Sequence, residues 1–206
     1  MISDTKVVAI GGGTGLSTML KGLKLHTHNI TAVVTVADDG GSSGILRSDL
    51  GMLAPGDVRN CVSALAEVDP VMGELLNFRF KDGSLKGHSL GNLFLAALNE
   101  TSSSFDEAVK KFSHLTGVVG TVYPVTNESV TLSALLEDGR LIEGESHIGV
   151  HHDGPKNGIV KLMVNPEKPK AVDGVIKALE KADIIVLGPG SLYTSIIPNL
   201  LVDGVV

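Results

Sequence analysis

A short apolar segment that runs into a cluster of glycines constrains the fold of this chain more than any other feature. Residues 6–10 predict a buried strand, the run Gly11-Gly12-Gly13-Thr14-Gly15 follows at once, and a helix is predicted at 16–24. Glycines allow the backbone to turn sharply and to approach a ligand, and the first amides of the next helix lack intrahelical partners. Strand, glycine turn and helix in this order therefore indicate a site for an anionic group such as phosphate.

Two further segments extend this pattern to an α/β fold. Residues 30–37 are nearly all apolar, as expected of a central parallel strand with both faces covered, and they complete a βαβ unit. Far along the chain, a helix predicted at 171–181 and a strand at 183–187 lead into a second glycine turn, Gly188-Pro189-Gly190-Ser191. Because the carboxyl ends of parallel strands meet at one edge of a sheet, we expect both glycine turns to line one ligand crevice.

The middle of the chain predicts helices first and β-structure later. Asp57 is assigned as the N-cap of a helix that follows Pro55-Gly56, and further helices are predicted at 71–80, at 89–99 with Ser89 as cap, and at 104–115 with Ser104 as cap. β-Segments are predicted at 121–126, 129–136, 141–148 and 159–164, with a hairpin turn at 137–140. We interpret 118–165 as a β-rich, antiparallel insertion within a single domain, 1–206.

Composition and charge argue against several classes of protein. The 206 residues suit one domain, and the net charge of −6 has no basic segment to balance it, which argues against a nucleic-acid partner. A single cysteine, Cys61, permits no internal disulfide, and its place in an apolar helix stripe predicts a buried thiol. Because there is no secretory signal and no apolar run of about 18–20 residues, we expect a cytoplasmic protein without a membrane span.

The first glycine run differs from two common nucleotide-binding motifs. No Gly-Lys-Ser/Thr follows it, so it is not a Walker A loop, and Leu16 stands where GxGxxG has its third glycine, which argues against NAD. Asp38 and Asp39 follow the run by about 25 residues, near the spacing at which a carboxylate meets a ribose hydroxyl. The pair can instead hold Mg²⁺ or form an Asx turn or helix cap. Ser42 and Ser43 add hydroxyl groups suited to phosphate or sugar oxygens.

Other polar residues near predicted helix starts allow both a functional and a structural interpretation. Arg59 lies on the first turn of a helix, where it can reach a phosphate or face solvent, and His88 and Asn92 flank the start of another helix. For His151-His152-Asp153 a polar loop is favoured over a metal site, because no further ligand cluster can be assigned. The spacing supports no Ser/His/Asp arrangement, so the catalytic residues are unknown.

Five motifs, in order along nearly the whole chain, resemble those of one protein family. They are GGGTGLS at 11–17, VADDGGSSG at 36–44, PGDVRN at 55–60, GHSLGNL at 87–93 and GPGSLYTS at 188–195. Through them the chain resembles the gluconeogenesis factor family (YvcK-like, UPF0052). That family lies within the superfamily that includes CofD, the 2-phospho-L-lactate transferase of deazaflavin coenzyme synthesis.

The resemblance implies a three-layer α/β/α, Rossmann-like fold with a mostly parallel sheet. In the YvcK-like branch, whose motifs are closer to these, it implies a non-catalytic regulator that binds UDP-N-acetylglucosamine, requires no cofactor, and acts on carbon flux to cell wall synthesis and on cell shape. In the CofD branch it implies a Mg²⁺-dependent transferase that uses a guanylyl diphosphate donor and a deazaflavin acceptor. Family members usually continue further than this chain, which is therefore expected to be C-terminally incomplete.

Together, residues and resemblance predict one crevice for a nucleotide diphosphate. The backbone N–H groups of residues 11–15 and of Gly188, Gly190 and Ser191 are expected to hold the diphosphate. Asp38 or Asp39 is expected to meet the ribose, or Mg²⁺ under the transferase alternative. The side chains expected to line the same crevice are Ser42, Ser43, Arg59 and Asn92. A homodimer and a protein partner in cell wall precursor synthesis are left open.

Overall fold

The computed structural model describes residues 3–151 and 157–206, without the side chain of His151. Within these ranges the strands are β1 (Val7–Gly11), β2 (Ile30–Val34), β3 (Thr121–Pro124), β4 (Thr131–Leu136), β5 (Leu141–Glu143), β6 (Ile159–Asn165) and β7 (Ile184–Leu187). The helices are α1 (Gly13–Leu23), α2 (Gly41–Leu50), α3 (Gly56–Leu65), α4 (Pro70–Asn77), α5 (Leu90–Glu100), α6 (Phe105–Leu115), α7 (Glu145–His151), α8 (Asp173–Glu180) and α9 (Ile197–Leu200), the last preceded by a π-helical turn, Leu192–Ile196. Apart from the backbone of His151, the polar loop predicted at His151-His152-Asp153 lies outside the described residues.

Four strands form a parallel sheet in the order β3-β2-β1-β7. β1 lies between β2 and β7, with Val7 beside both Ile30 and Ile184, and β3 pairs with β2 on the outer side. Because all four strands run in one direction, the segments that follow β1, β2 and β7 begin at the same edge of the sheet. That edge is where ligands bind in open α/β folds.

Alternate residues of β1 point to two apolar cores, one on each face of the sheet. Ala9 contributes to the larger core, which includes Leu16 and Leu20 of α1 and the fully buried Phe112 of α6. Val8 and Ile10 contribute to the smaller core, which α8 covers with Val175. Helices therefore cover both faces of a parallel sheet, which confirms the predicted α/β fold.

Cys61 belongs to the larger core, as predicted. Its side chain is fully buried, and this burial raises the pKa of the thiol above its usual range. In the described part of the chain, no helix combines the length and apolar character that crossing a membrane requires.

The β-rich part of the chain divides between two sheets. The sequence places 121–126 in the antiparallel insertion, but β3 pairs in parallel with β2 and completes the main sheet, since strand propensity carries no information about direction. β4, β5 and β6 form the antiparallel sheet, in the order β5-β4-β6. The predicted hairpin turn joins β4 to β5, with Gly139 at a φ of 84° and its N–H bonded to the carbonyl oxygen of Leu136 at 3.0 Å.

The prediction of a β-segment over 141–148 is wrong in its second half. β5 ends at Glu143, Gly144 has a φ of 96°, and α7 begins at Glu145. The carboxylate of Asp39 accepts hydrogen bonds from the N–H groups of Glu145 at 2.8 Å and of Ser146 at 2.9 Å. A cap from so distant a part of the chain stabilises this helix start, and local sequence patterns cannot show it.

One of the three predicted helix caps is wrong. Pro55 occupies the N-cap position of α3, and Asp57 lies inside the first turn with its carboxylate directed elsewhere. Ser89 does cap α5, by accepting a hydrogen bond from the N–H of Asn92 at 3.2 Å. Ser104 caps α6 by accepting from the N–H of Glu107 at 3.4 Å.

Candidate functional site

The turn after β1 requires glycine at two adjacent positions. A Cβ atom on Gly12 would lie 2.6 Å from Cγ2 of Thr35 and 2.7 Å from Oδ2 of Asp57, so no larger residue fits without displacing them. Gly13 has a φ of 68°, in the left-handed region that favours glycine. α1 begins at Gly13 with no side-chain cap, so its first turn is available to other hydrogen-bond acceptors.

Asp57 supplies such an acceptor from within the chain. The backbone N–H of Gly13 donates a hydrogen bond to its carboxylate. Burial is the main cause that raises the pKa of Asp57 to about 6, and the negative charges of Asp38 and Glu145 raise it as well. The Gly13 N–H and the positive charge of Arg59 lower the pKa and so oppose this rise. A carboxylate that is protonated more readily than usual therefore lies at the positive end of α1.

Asp38 lies in the loop after β2, next to the start of α3. Its Oδ1 accepts a hydrogen bond from the N–H of Gly40 at 3.0 Å, which forms an Asx turn. A Cβ atom on Gly56 would lie 3.3 Å from Oδ2 of Asp38 and 2.5 Å from Oγ of Ser43, and this Oγ accepts from the Gly56 N–H at 3.2 Å. The loop that contains Asp38 and the first turn of α3 that contains Asp57 are therefore in direct contact.

Asp39 points to α7 instead, and α7 brings a third carboxylate to the crevice. Both oxygens of Asp39 accept hydrogen bonds from the first turn of that helix. Burial raises the pKa of Glu145, and the negative charges of Asp38 and Asp39 raise it further. A hydrogen bond from the side chain of Thr194 lowers this pKa. The charge of Glu145 therefore interacts with those of Asp38 and Asp57.

The glycine turn after β7 packs against the first one. Gly188 has a φ of 90°, and its N–H donates to the carbonyl oxygen of Ile10 at 2.8 Å. A Cβ atom on Gly15 would lie 2.9 Å from the carbonyl oxygen of Pro189, and one on Gly190 would lie 3.5 Å from that of Gly12. The backbones of the two turns are in contact, and Ser191 caps the π-helical turn beyond.

Side-chain hydrogen bonds, buried except for the one to Asn77, connect α2, α3, α4 and α5 behind the crevice. Oγ of Ser42 accepts from Nδ2 of Asn92 at 3.1 Å and lies 2.9 Å from Nδ1 of His88. Oδ1 of Asn92 accepts from Nε of Arg59 at 3.3 Å, and Nη1 of Arg59 donates to Oδ1 of Asn77 at 2.8 Å. Ser42 thus has two polar partners, and the network fixes the starts of α2 and α5 relative to each other.

Four helix N-termini meet at this edge of the sheet. α1, α2, α3 and α5 begin at the contacts described above, and the N-cap residues of the first three provide no side-chain cap, although Asp57 and Ser43 accept hydrogen bonds from the first N–H groups of α1 and α3. Helix N-termini carry partial positive charge and free N–H groups, which attract anions. Because the carboxylates of Asp38, Asp57 and Glu145 lie close enough for their charges to interact, the site is suited to an anion that arrives together with a cation.

The carboxylates do not form an assembled metal cluster. Across the described ranges, no group of three or more His, Cys, Asp or Glu side chains is arranged to hold a metal ion. Both oxygens of Asp39 bond to α7, so Asp38 and Asp57 are the carboxylates next to the glycine turn. Mg²⁺ is usually bound by one or two carboxylates together with substrate phosphates, and the pair of Asp38 and Asp57 fits that pattern.

Sequence reasoning identifies most of this neighbourhood but misses two carboxylates. The glycine turns, Asp38 and Ser43 lie at this edge of the sheet, whereas Ser42, Asn92 and Arg59 belong to the hydrogen-bonded network behind it. Asp57 is assigned only as a cap, although it follows Pro55-Gly56 within a motif. Glu145 is assigned to a strand, and Gly144 before a run of polar residues is the one local signal of a helix start.

Several hollows lie elsewhere on the described surface, and two of them are lined in part by residues of the parallel sheet. One of about 540 Å³ is lined by residues that include Asp106, Tyr123 and Lys170, and one of about 330 Å³ opens at the amino ends of β1 and β2. Neither is lined by a residue of the glycine turns. The edge at the carboxyl ends of the strands is the better candidate, because helix N-termini and carboxylates meet there.

Comparison with known sequences shows which proteins this chain is similar to. The sequence profile of the family described as 2-phospho-L-lactate transferase CofD matches residues 7–206. A relative from Thermoanaerobacterium thermosulfurigenes, provisionally named a gluconeogenesis factor, is 58% identical over 204 residues, which cover 99% of this chain and 63% of the relative. The gluconeogenesis factor of Bacillus subtilis is 48% identical over 200 residues, which cover 96% of this chain and 61% of the relative.

Solved structures extend the comparison to three dimensions. The crystal structure of protein BH3568 from Bacillus halodurans superposes with a TM-score of 0.93 at 46% identity, covering 98% of this chain and 64% of that one. A second crystal structure of the same protein, described as a member of the UPF0052 family, also has a TM-score of 0.93. The chain spans less than two thirds of the length of these relatives. It belongs to the CofD family and, within that family, to the group of proteins named gluconeogenesis factors.

Proposed function

We propose that this chain forms the nucleotide-sugar-binding part of a regulator. The proposed ligand is UDP-N-acetylglucosamine, and the proposed role is the control of carbon flux to cell wall synthesis and of cell shape. The observation that carries the proposal is that two glycine turns in contact lie at the start of α1, with the start of α3 packed against them through Asp57. Hydrogen bonds of Ser43 and Ser42 join the starts of α2 and α5 to this group. Such an arrangement suits a diphosphate, whose oxygens accept hydrogen bonds from several helix ends at once.

The polar side chains favour binding over catalysis. Ser42 is the hydroxyl closest to a histidine in the site, but it is buried and has both His88 and Asn92 as partners. A nucleophile needs an exposed hydroxyl with a base aligned to remove its proton. We therefore assign Ser42 and His88 to positioning the helix starts, with Asp38 close enough to the glycine turn to meet a ribose hydroxyl or a cation.

Isothermal titration calorimetry with UDP-N-acetylglucosamine tests the proposal. We expect saturable heat at one site per chain, and we expect a variant at an exposed acid away from the crevice, Asp49→Asn, to bind equally well. Absence of heat from a folded protein, with and without Mg²⁺, would contradict the proposal.

A transferase of the CofD type is the second candidate, and the group of Asp38, Asp57 and Glu145 is the observation that favours it. Asp38 and Asp57 would hold Mg²⁺, which supplies charge neutralisation for a diphosphate leaving group. The helix N-termini would hold the phosphates in place while charge develops on them. Mg²⁺-dependent turnover of a phospholactyl or phosphoenolpyruvyl guanosine diphosphate with a deazaflavin acceptor, lost in Asp38→Asn, would support this candidate over the first.

A further inference from the structure

Arg59 is a buried cation that no carboxylate balances at close range. Its side chain is 7% exposed, and its guanidinium donates to two neutral oxygens, from Nε to Asn92 and from Nη1 to Asn77. The close ion pairs in the described part of the chain involve other residues. Burying a charge without a counter-ion costs free energy. The presence of Arg59 at this buried position therefore indicates that an anion completes the arrangement.

Arg79 adds a second positive charge beside the first. Burial lowers the pKa of Arg59, the charge of Arg79 lowers it further, and the charge of Asp57 opposes both effects. The side chain of Arg79 is exposed, and its Nη1 donates to the carbonyl oxygen of Gly87. Two neighbouring guanidinium groups repel each other, and an oxyanion between them would remove that repulsion.

The backbone explains why two arginines from different helices meet. Phe80 and Leu90 donate hydrogen bonds to the carbonyl oxygens of His88 and Phe78, at 3.0 Å and 2.8 Å, which places Arg79 beside the start of α5. Arg59 reaches the same helix start from α3 by passing over Gly91, where a Cβ atom would lie 2.9 Å from its Cδ. Both guanidinium groups therefore lie near the positive end of α5.

The charge around this position differs from that of the whole chain. The net charge of the chain is −6, yet the segment from Phe78 to His88 contains Arg79, Lys81 and Lys86 against a single acid, Asp82. Lys81 and Lys86 are exposed, so they can attract an anion from solution.

We propose that Arg59 and Arg79 form a second anion site, separate from the glycine turns, that binds an oxyanion such as a phosphate monoester or a carboxylate. Nη2 of Arg59 makes no hydrogen bond to any described residue and is free for the fork-shaped contact that arginine makes with such groups. The anion can be free in solution, or it can be an acidic group of the ligand in the crevice, which Asn92 and Ser42 connect to Arg59. Only the second source rests on the function proposed above.

Nitrogen-15 NMR of the arginine Nε–H groups tests this site directly. The chain contains four arginines, at positions 47, 59, 79 and 140, so each signal can be assigned by substitution. Titration with inorganic phosphate, at an ionic strength held constant with chloride, should shift the signals of Arg59 and Arg79 along one saturable curve. The signal of Arg140, which is exposed and paired with Asp138, should not move.

Matched variants give the test its control. Arg79→Gln removes an exposed charge and should weaken phosphate binding about tenfold or more, because it deletes a charge-assisted hydrogen bond. Arg140→Gln should leave phosphate affinity unchanged. Phosphate affinity unaltered in Arg79→Gln would overturn the proposal, and so would equal shifts at Arg59, Arg79 and Arg140, which would show unspecific attraction.

A second titration, with UDP-N-acetylglucosamine in phosphate-free buffer, separates the two sources of the anion. Signals that move with the nucleotide and no longer respond to phosphate would place the ligand's own acidic group at the arginines, whereas independent responses would show a separate site for a free anion. Either result supports the site, and no response of Arg59 or Arg79 to either compound would overturn it. A response to phosphate without any nucleotide binding would contradict the proposed function and leave the anion site standing.

Discussion

The carboxylate of Asp57 accepts a hydrogen bond from the backbone N–H of Gly13, at the start of α1. An acidic side chain of the chain itself thus occupies part of the helix end that a phosphate would use. A diphosphate must replace this contact or bind with Asp57 neutralised, by a proton or by a cation. The relationship between these two residues therefore determines how the site responds to pH and to Mg²⁺.

Asp57→Asn should stabilise the protein at neutral pH. Because the pKa of Asp57 is raised from 3.8 to about 6, the folded state binds the proton more tightly than the unfolded state. The favourable contribution of the protonated form is complete below about pH 4 and is lost as the pH rises through about 6. Asparagine keeps the acceptor oxygen without the charge, so we expect a gain of up to about 3 kcal/mol at pH 7.5, measured by urea unfolding.

The same comparison at pH 4.5 provides the control for that prediction. There the carboxyl is largely protonated in the folded state but still mostly ionised in the unfolded state, so the difference between Asp57→Asn and wild type should shrink to about a third of its value at pH 7.5. Asp49→Asn, at an exposed position, should show little difference at either pH. An equal difference at both pH values would mean that the charge of Asp57 is not what destabilises the folded state.

Mg²⁺ should affect nucleotide binding differently in the wild type and in Asp57→Asn. Without Mg²⁺ the variant should bind UDP-N-acetylglucosamine about tenfold more tightly, because a negative charge near the diphosphate is gone. With Mg²⁺ the wild type should gain affinity and the variant should gain little. Calorimetric titrations with and without the metal measure both effects, and an equal gain in the two proteins would place the cation away from Asp57.

Gly12→Ala should destabilise the protein and abolish nucleotide binding. The new methyl group would lie 2.6 Å from Cγ2 of Thr35, so Thr35→Ser, which removes that carbon, should recover part of the lost stability in the double variant. Gly22→Ala, in the last turn of α1, is the control. Nothing lies within 4 Å of its added Cβ, and it should stabilise α1 by up to about 1 kcal/mol. Additive effects of Gly12→Ala and Thr35→Ser in thermal unfolding would exclude the contact as the cause.

Asp39→Ala should loosen α7 without unfolding the parallel sheet. The substitution removes the acceptor of the Glu145 and Ser146 N–H groups, and loss of a helix cap costs about 0.5–2 kcal/mol. Hydrogen exchange should therefore accelerate at the amides at the start of α7 and stay unchanged in β1. Asp39→Asn keeps an acceptor and should show a smaller effect. Unchanged exchange in α7 for Asp39→Ala would show that other contacts hold this helix in place.

Local patterns predict the parts of the structure that local physics determines. The apolar run of β1, the serine cap of α5 and the turn at Gly139 depend on residues close in sequence, and all three are confirmed. The direction of β3 and the helical state of α7 depend on distant partners, so the sequence predicts both wrongly.

The same distinction applies to the candidate site. Glycine turns can be recognised in the sequence because the backbone conformation that requires glycine is set by adjacent residues. The position of Asp57 beside Gly13, and that of Glu145 beside Thr194, results from the packing of whole helices. Arg59 meets Arg79 only because the segments around Phe78 and Leu90 pair with each other. The charged residues that decide what the site binds are therefore those whose positions are hardest to predict from a single sequence.

The most direct test of the central claim is the response of backbone amide NMR signals to UDP-N-acetylglucosamine. If the glycine turns hold the diphosphate, the amides of Gly12, Gly13 and Gly15, together with those of Gly190 and Ser191, should shift along one saturable curve. Shifts confined to residues around the larger hollow, such as Asp106 and Lys170, would contradict the account.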